Sequence, residues 1–321
     1  MQPEFKLVET NGIKLRAALQ GQGPLVVMVH GFPESWYSWR HQMQPIADAG
    51  FTACAIDVRG YGGSDKPHPV EAYEMKHITA DIAGLVDALS PGKPGVLIGH
   101  DWGAPLVWHT AYLYPQTIRA VAALSVPWWG QPQKPLSAEH VDHPSKQGKF
   151  FYITYFQPEG QAEADFERDP RDALRRFYFA LCGEATGEWR KERPASAKLF
   201  DGLPNPERFP AWMSEADLDY FVGEFERSGF RGPINKYRTF VEDHAFMDGR
   251  GDYTIRQPSF FIAGDKDGGW KMPVGVDTIA RMRANTSDLR GVHILPGVGH
   301  WTQQEAPEET NRLLIGWLKG L

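Results

Sequence analysis

Hydrophobic and polar positions alternate at the start of the chain, with Phe5 and Leu7 before Asn11-Gly12 and Ile13 and Leu15 after it. Period-two spacing around an Asn-Gly pair predicts a β-hairpin with a two-residue turn. After a break at Gly21 to Pro24 the pattern changes. Leu25 to Val29 is apolar without interruption, as in a strand covered on both faces, and it ends in His30-Gly31-Phe32-Pro33. A helical pattern runs from Trp36 to Ala49 and is closed by Gly50; a second buried strand, Phe51 to Ile56, leads into the loop RGYGGSDKP. Residues 72 to 89 place Ile78, Ile82, Leu85, Val86 and Leu89 on one helical stripe. Val96 to Ile98 predicts a strand, Trp102 to Tyr114 a helix, and Ala120 to Val126 another strand.

This alternation of strands and helices implies a mostly parallel sheet with helices on both faces. It stops at Pro127. From there to about Asp248 the chain is rich in proline, charge and aromatics, with helical stripes and no strand pattern. One helix is expected to start at Ser214, with Glu215 and Asp217 in its first turn and Leu218, Phe221, Val222 and Phe225 on its apolar face. Another is expected from Pro233, facing inward with Ile234, Tyr237, Phe240 and Val241. The α/β pattern resumes at Ser259 to Ala263, continues through a helix near 275 to 284 and a strand at Val292 to Leu295, and closes with a helix from Pro307 to Lys319. The simplest architecture is an α/β domain of residues 1–127 and 249–321, interrupted by an all-helical cap of residues 128–248.

Candidate chemistry collects at the ends of the predicted strands. Gly99 to Ala104 reads GHDWGA, a G-x-nucleophile-x-G elbow with Asp101 at the position where a hydrolase often carries serine. Small residues at Gly99 and Gly103 let the chain turn sharply from strand to helix and leave the central side chain exposed. A carboxylate there suits attack on an alkyl carbon, because the resulting ester can be cleaved by activated water, whereas a serine ether cannot. Gly264-Asp265-Lys266-Asp267 and Gly297-Val298-Gly299-His300 follow the next two predicted strands. Nucleophile, acid and histidine thus come in the chain order of an α/β-hydrolase triad. Asp267 is the expected acid, with Asp265 competing for the role. The backbone N–H groups of Phe32 and Trp102 are the expected oxyanion donors.

Composition narrows the choice of partner. Lys and Arg number 34 against 40 Asp and Glu, and a net charge of -6 argues against nucleic acid or an anionic membrane. No apolar run reaches the ~20 residues of a bilayer span, the first residues do not resemble a signal peptide, and Cys54 and Cys182 make no disulfide framework. A cytoplasmic protein with two buried thiols is expected. Aromatics make up 12% of the chain, including eleven Trp, which suits an apolar pocket. The loop Gly60 to Ser64 lacks the pattern of a phosphate-binding loop, and His140 and His143 lack the partners of a zinc site.

HGFPESWYSWR at 30–40, RGYGGSDKP at 59–67, GHDWGA at 99–104, YITYFQPEG at 152–160, RGPINKYR at 231–238 and the histidine loop together resemble the α/β-hydrolase-fold epoxide hydrolases of the single-module type, over nearly the whole chain. The resemblance implies that Tyr152 and Tyr237 on the cap hold the epoxide oxygen, with Tyr155 as the alternative alignment for the first. Phe32, Trp102 and Phe156 are expected to line the substrate pocket. Lys236 departs from the pattern, since many relatives carry tryptophan there. The implied activity is conversion of epoxides to vicinal diols through an aspartyl ester, with His300 as general base and no cofactor or metal. The partners would be a small apolar epoxide and water, in a chain that could form a homodimer. A haloalkane or haloacetate dehalogenase would use the same Asp-His-Asp triad, with Trp102 able to serve the halide. A ligand-sensing receptor on this fold is a third reading.

Overall fold

A computed structural model describes residues 2–130, 144–185, 192–271 and 276–321. His140 and His143 lie outside these residues, as does position 275, where a helix start was expected. Eight strands form one sheet: β1 (Glu4–Thr10), β2 (Ile13–Gln20), β3 (Leu25–Val29), β4 (Thr52–Ile56), β5 (Gly95–His100), β6 (Ile118–Leu124), β7 (Ser259–Gly264) and β8 (Leu289–Leu295), in the order β1-β2-β4-β3-β5-β6-β7-β8. β1 and β2 pair antiparallel, as do β2 and β4, and the rest of the sheet is parallel.

The parallel strands are apolar on both faces because helices cover both. Leu25, Val27 and Val29 of β3 join one cluster with Leu97, Val121 and Ala123, packed under α2 (Met75–Leu89) and α3 (Gly103–Leu113). Val26 and Met28 join the other with Val96, Ile98 and Ala122, packed under α1 (Arg40–Asp48) and α12 (Pro307–Lys319). The first cluster also runs through Phe32 into the cap, taking in Phe156, Phe166, Leu174 and Phe221.

Between β6 and β7 the described residues form helices and no strand, apart from isolated bridges of Lys149 with Pro194 and of Ile255 with Thr286. These helices are α4 (Tyr152–Tyr155), α5 (Gln161–Glu167), α6 (Pro170–Leu181), α7 (Glu215–Ser228), α8 (Arg231–Asn235) and α9 (Phe240–Met247). After β7 come α10 (Thr278–Ala284) and α11 (Thr302–Glu305). Among the described residues no helix is long and apolar enough to cross a membrane.

The expected hairpin forms, and two other expectations are corrected. The hairpin forms with Asn11 and Gly12 both at positive φ, yet Phe5 and Leu7 are exposed. Leu15 is buried in β2, and its cross-strand partner is Val8, so Val8 shares its inward face and Leu7 faces out. The helix predicted from Trp36 begins as a 3-10 turn, Trp36–Trp39, before α1. The helix predicted from Pro233 is broken into α8, a 3-10 turn at Lys236–Arg238, and α9; Thr239 leaves helical geometry between them, and Val241 is exposed instead of inward. The break comes where Thr239 Oγ1 accepts from the Lys236 ammonium and donates to Asp243, so side-chain bonds compete with the helix ladder.

Candidate active site

The order of the strands puts a crevice at one place in the sheet. From β3 the chain passes to β4 on one side and later to β5 on the other, and open α/β sheets bind ligands where the order reverses, beyond the carboxyl ends of the strands. His30-Gly31-Phe32 leaves β3 there, and Asp101 leaves β5.

Asp101 has φ 50, in the left-handed region that side-chain-bearing residues seldom occupy, and Trp102 returns to helical geometry as the first residue before α3. The turn is tight enough to exclude side chains around it. A Cβ on Gly103 would stand 2.0 Å from the Val29 carbonyl oxygen, and one on Gly31 would stand 2.3 Å from Asp101 Oδ1. Because Gly31 has no side chain, the Phe32 N–H can donate to Asp101 Oδ1 at 2.7 Å. Of the two expected oxyanion donors, Phe32 alone touches the carboxylate among the described residues.

The second carboxylate oxygen has a different partner. Asp101 Oδ2 lies 3.2 Å from His300 Nε2, and His300 Nδ1 lies 3.2 Å from Asp267 Oδ2. Asp267 is 3% exposed, and its other oxygen accepts from the Gly269 N–H at 2.7 Å. Asp265 is spent elsewhere, accepting from the Gly297 N–H at 2.7 Å. Burial by itself would lower the His300 pKa, but the Asp267 carboxylate, with Asp101 on the other ring nitrogen, outweighs it and holds the imidazole well above its ordinary range. Burial would likewise raise Asp267; attraction to His300 prevails, and its pKa is lowered.

A buried polar network underlies this chain of groups, and reading the sequence for catalytic motifs does not reveal it. Glu34 Oε2 accepts from the Gly31 N–H at 2.8 Å and from His100 Nδ1 at 2.7 Å; Oε1 accepts from the amides of Gln303 at 3.0 Å and Gln304 at 3.3 Å. His100 Nε2 meets the His300 carbonyl oxygen at 2.7 Å, and Ser125 Oγ donates to the same oxygen at 2.9 Å. The His300 backbone is thereby fixed from below, and the Gly31 turn is fixed by the same carboxylate. The one sequence signal was two ionisable residues inside motifs already noted, Glu34 in HGFPES and His100 in GHDWGA.

Aromatic rings from the helical segment between β6 and β7 pack against Phe32 and Trp102. Tyr237 is 5% exposed and packs edge-on against Phe32 at 5.5 Å, Trp102 at 5.2 Å, Phe156 at 4.9 Å and Tyr152 at 5.9 Å between ring centroids. Burial, then the Asp101 carboxylate, pushes the Tyr237 phenol well up. The same two causes in the same order raise Tyr152, of which 43% is accessible. Tyr155 points away, its hydroxyl donating to Asp165 Oδ2 at 2.6 Å. Lys236 is buried, its ammonium paired with Asp243 and 4.9 Å from the centroid of the Trp102 ring. Cys54 and Cys182 are buried free thiols.

The arrangement can deliver a carboxylate to an electrophilic carbon, hold its carbonyl oxygen, activate water and protonate a leaving oxygen. Comparison with known proteins agrees in kind. The family model described as alpha/beta hydrolase fold matches residues 24–307. The chain is similar to epoxide hydrolase A of Mycobacterium tuberculosis, with 40% identity covering 99% of this chain and 98% of that protein. It is also similar to the solved structure of an epoxide hydrolase from an endophytic Streptomyces, with a TM-score of 0.92 and 42% identity covering 99% of this chain and 96% of that one. Epoxide hydrolase A from Mycobacterium thermoresistibile superposes with a TM-score of 0.88 at 39% identity, covering 99% of each chain. With fold, crevice and full-length likeness in agreement, the chain belongs to the epoxide hydrolases of the α/β-hydrolase fold.

Proposed function

We propose that this chain converts epoxides to vicinal diols through a covalent ester on Asp101, using only its own side chains and water. Asp101 Oδ2 attacks a ring carbon; the carbon–oxygen bond opens, and its electron pair goes to the ring oxygen, which takes a proton from Tyr152 or Tyr237. Both phenols have raised pKa values, so both hold their protons at neutral pH and can donate without tuning. Two donors share the developing charge, and losing one such donor typically costs ~3 kcal/mol of barrier.

Ester formation prepares the second step electrostatically. The Asp101 charge is one cause of the high His300 pKa, and alkylation removes it. His300, still oriented by Asp267, then gives up its proton more readily, returning it to the phenolate left by ring opening, and the neutral imidazole can act as base toward a water. That water attacks the ester carbonyl while the Phe32 N–H holds Oδ1, with the Trp102 N–H as the second donor to the oxyanion. The tetrahedral intermediate collapses: Oδ2 takes the proton that His300 drew from water and leaves in the diol, the carboxylate regains one oxygen from water, and the remaining proton on that oxygen returns to His300.

The observation that carries this reading is the division of labour at Asp101, with Oδ1 on the Phe32 amide and Oδ2 on His300. Two phenols near the carboxylate favour an epoxide over a haloalkane, whose leaving halide calls for N–H donors. Intact-protein mass spectrometry tests it. With styrene oxide, His300→Gln should accumulate an adduct of the mass of the substrate, and Asp101→Ala should form none. Diol production by Asp101→Ala at a rate near that of the unaltered chain would overturn the reading.

A further inference from the structure

The two cap segments that carry Tyr152 and Tyr237 are far apart in the chain, and one side chain joins them. Arg238 follows Tyr237 directly, and its side chain is 4% exposed. All three guanidinium nitrogens donate, Nε sharing its single hydrogen between two acceptors. Nε reaches the carbonyl oxygens of Phe156 at 2.8 Å and Gln157 at 3.3 Å. Nη1 reaches Glu163 Oε1 at 2.6 Å and Asn235 Oδ1 at 2.7 Å, and Nη2 reaches Glu163 Oε2 and the Pro158 carbonyl oxygen, both at 3.0 Å. The three carbonyls belong to residues immediately after α4, a single turn too short to hold its own direction. Gln157 adds a second tie, its amide donating at 2.8 Å both to the Ile153 carbonyl within α4 and to the Tyr237 carbonyl.

We propose that Arg238 is a positioning residue for ring opening, clamping α4 to the Tyr237 turn so that both phenols reach one substrate oxygen. This rests on the reading that Tyr152 and Tyr237 donate to that oxygen. The role is geometric. Glu163 neutralises the guanidinium at close range and takes it bidentately, so the cation contributes a rigid planar fork instead of a field at the substrate. Lysine would keep the charge and lose the fork, because an ammonium cannot match that set of acceptors. The groups assigned to ester hydrolysis stand on loops of the sheet domain, so the clamp bears on the first step and not on the second.

Single-turnover kinetics separate the steps. In Arg238→Lys, ring opening should slow by about tenfold or more, within the range expected for a displacement of ~1 Å at reacting groups. Ester breakdown should stay within about twofold of the unaltered chain. In a Tyr237→Phe background the Arg238→Lys effect on ring opening should shrink to about twofold or less, because residues acting through one group are not additive. Glu163→Gln, which loosens the fork while leaving the arginine in place, should repeat the pattern more weakly and guards against a lysine variant that folds poorly. Equal slowing in both backgrounds, equal slowing of both steps, or no slowing of ring opening would overturn the clamp. If Tyr152→Phe and Tyr237→Phe themselves leave ring opening unchanged, the two-phenol reading fails and the clamp fails with it; if they slow ring opening and the arginine and glutamate variants do not, the clamp alone fails.

Discussion

Glu34 is fully buried, touches no substrate in the proposed mechanism, and holds both the Gly31 turn and His100. Burial alone would raise its pKa, yet attraction to His100, with hydrogen bonds from that ring and the Gly31 amide, brings it down to about 2 from 4.5. A carboxyl whose folded pKa lies below its unfolded value stabilises the protein fully above the unfolded pKa and loses that contribution as pH falls through the folded one. Here the window is pH 4.5 down to about 2, and a shift of this size is on the order of 3 kcal/mol. Urea unfolding at a series of pH values should show stability declining across that window, and Glu34→Gln should flatten the decline. An unchanged slope in the variant would show that Glu34 does not supply it.

Helices whose ends are encoded locally were legible in the sequence. Ser214 caps α7 with its hydroxyl bonded to the Asp217 N–H and the Asp217 carboxylate bonded back to the Ser214 N–H, a capping box that residues three apart specify by themselves. The last helix spans Pro307–Lys319, as expected, with its proline in the first turn. The segment after Pro233 was not legible, because its conformation is set by a partner elsewhere in the chain. Asp243 accepts from the Met75 N–H at 2.5 Å, capping α2 from the cap side, and it also pairs with the buried Lys236 and bonds Thr239. No local pattern announces such an inter-domain cap. Asp243→Ala should therefore lower the unfolding free energy by ~3–5 kcal/mol, since a buried ammonium loses its partner, whereas Lys236→Met with Asp243→Leu should recover most of the loss. Calorimetry or urea unfolding would decide; a loss under ~1 kcal/mol in the single variant would mean that the pair is not the tie described.

For the molecule as a whole, the regular return of buried strands and helical stripes made the α/β sheet and its interruption at Pro127 readable before any coordinates. The strand order was not readable, because it depends on which strands pair across crossovers, and it is the reversal between β4 and β5 around β3 that brings Phe32 beside Asp101. The positions of Asp101, Asp267 and His300 could be marked from motifs at strand ends, while Glu34, His100 and Arg238 acquire meaning only from partners dozens to hundreds of residues away. Sheet and buried network together hold one carboxylate with one oxygen beside the His300 imidazole and the other on a backbone amide. The central claim is that this carboxylate becomes bonded to substrate and is released by water attacking its own carbonyl. A single turnover with enzyme in excess, run in water enriched in oxygen-18 and followed by digestion and mass spectrometry, tests that claim most directly. Label in the peptide that contains Asp101, with the diol of that turnover unlabelled, is the result expected; label in the diol and none in the peptide would mean that water strikes the ring itself, and would contradict the mechanism.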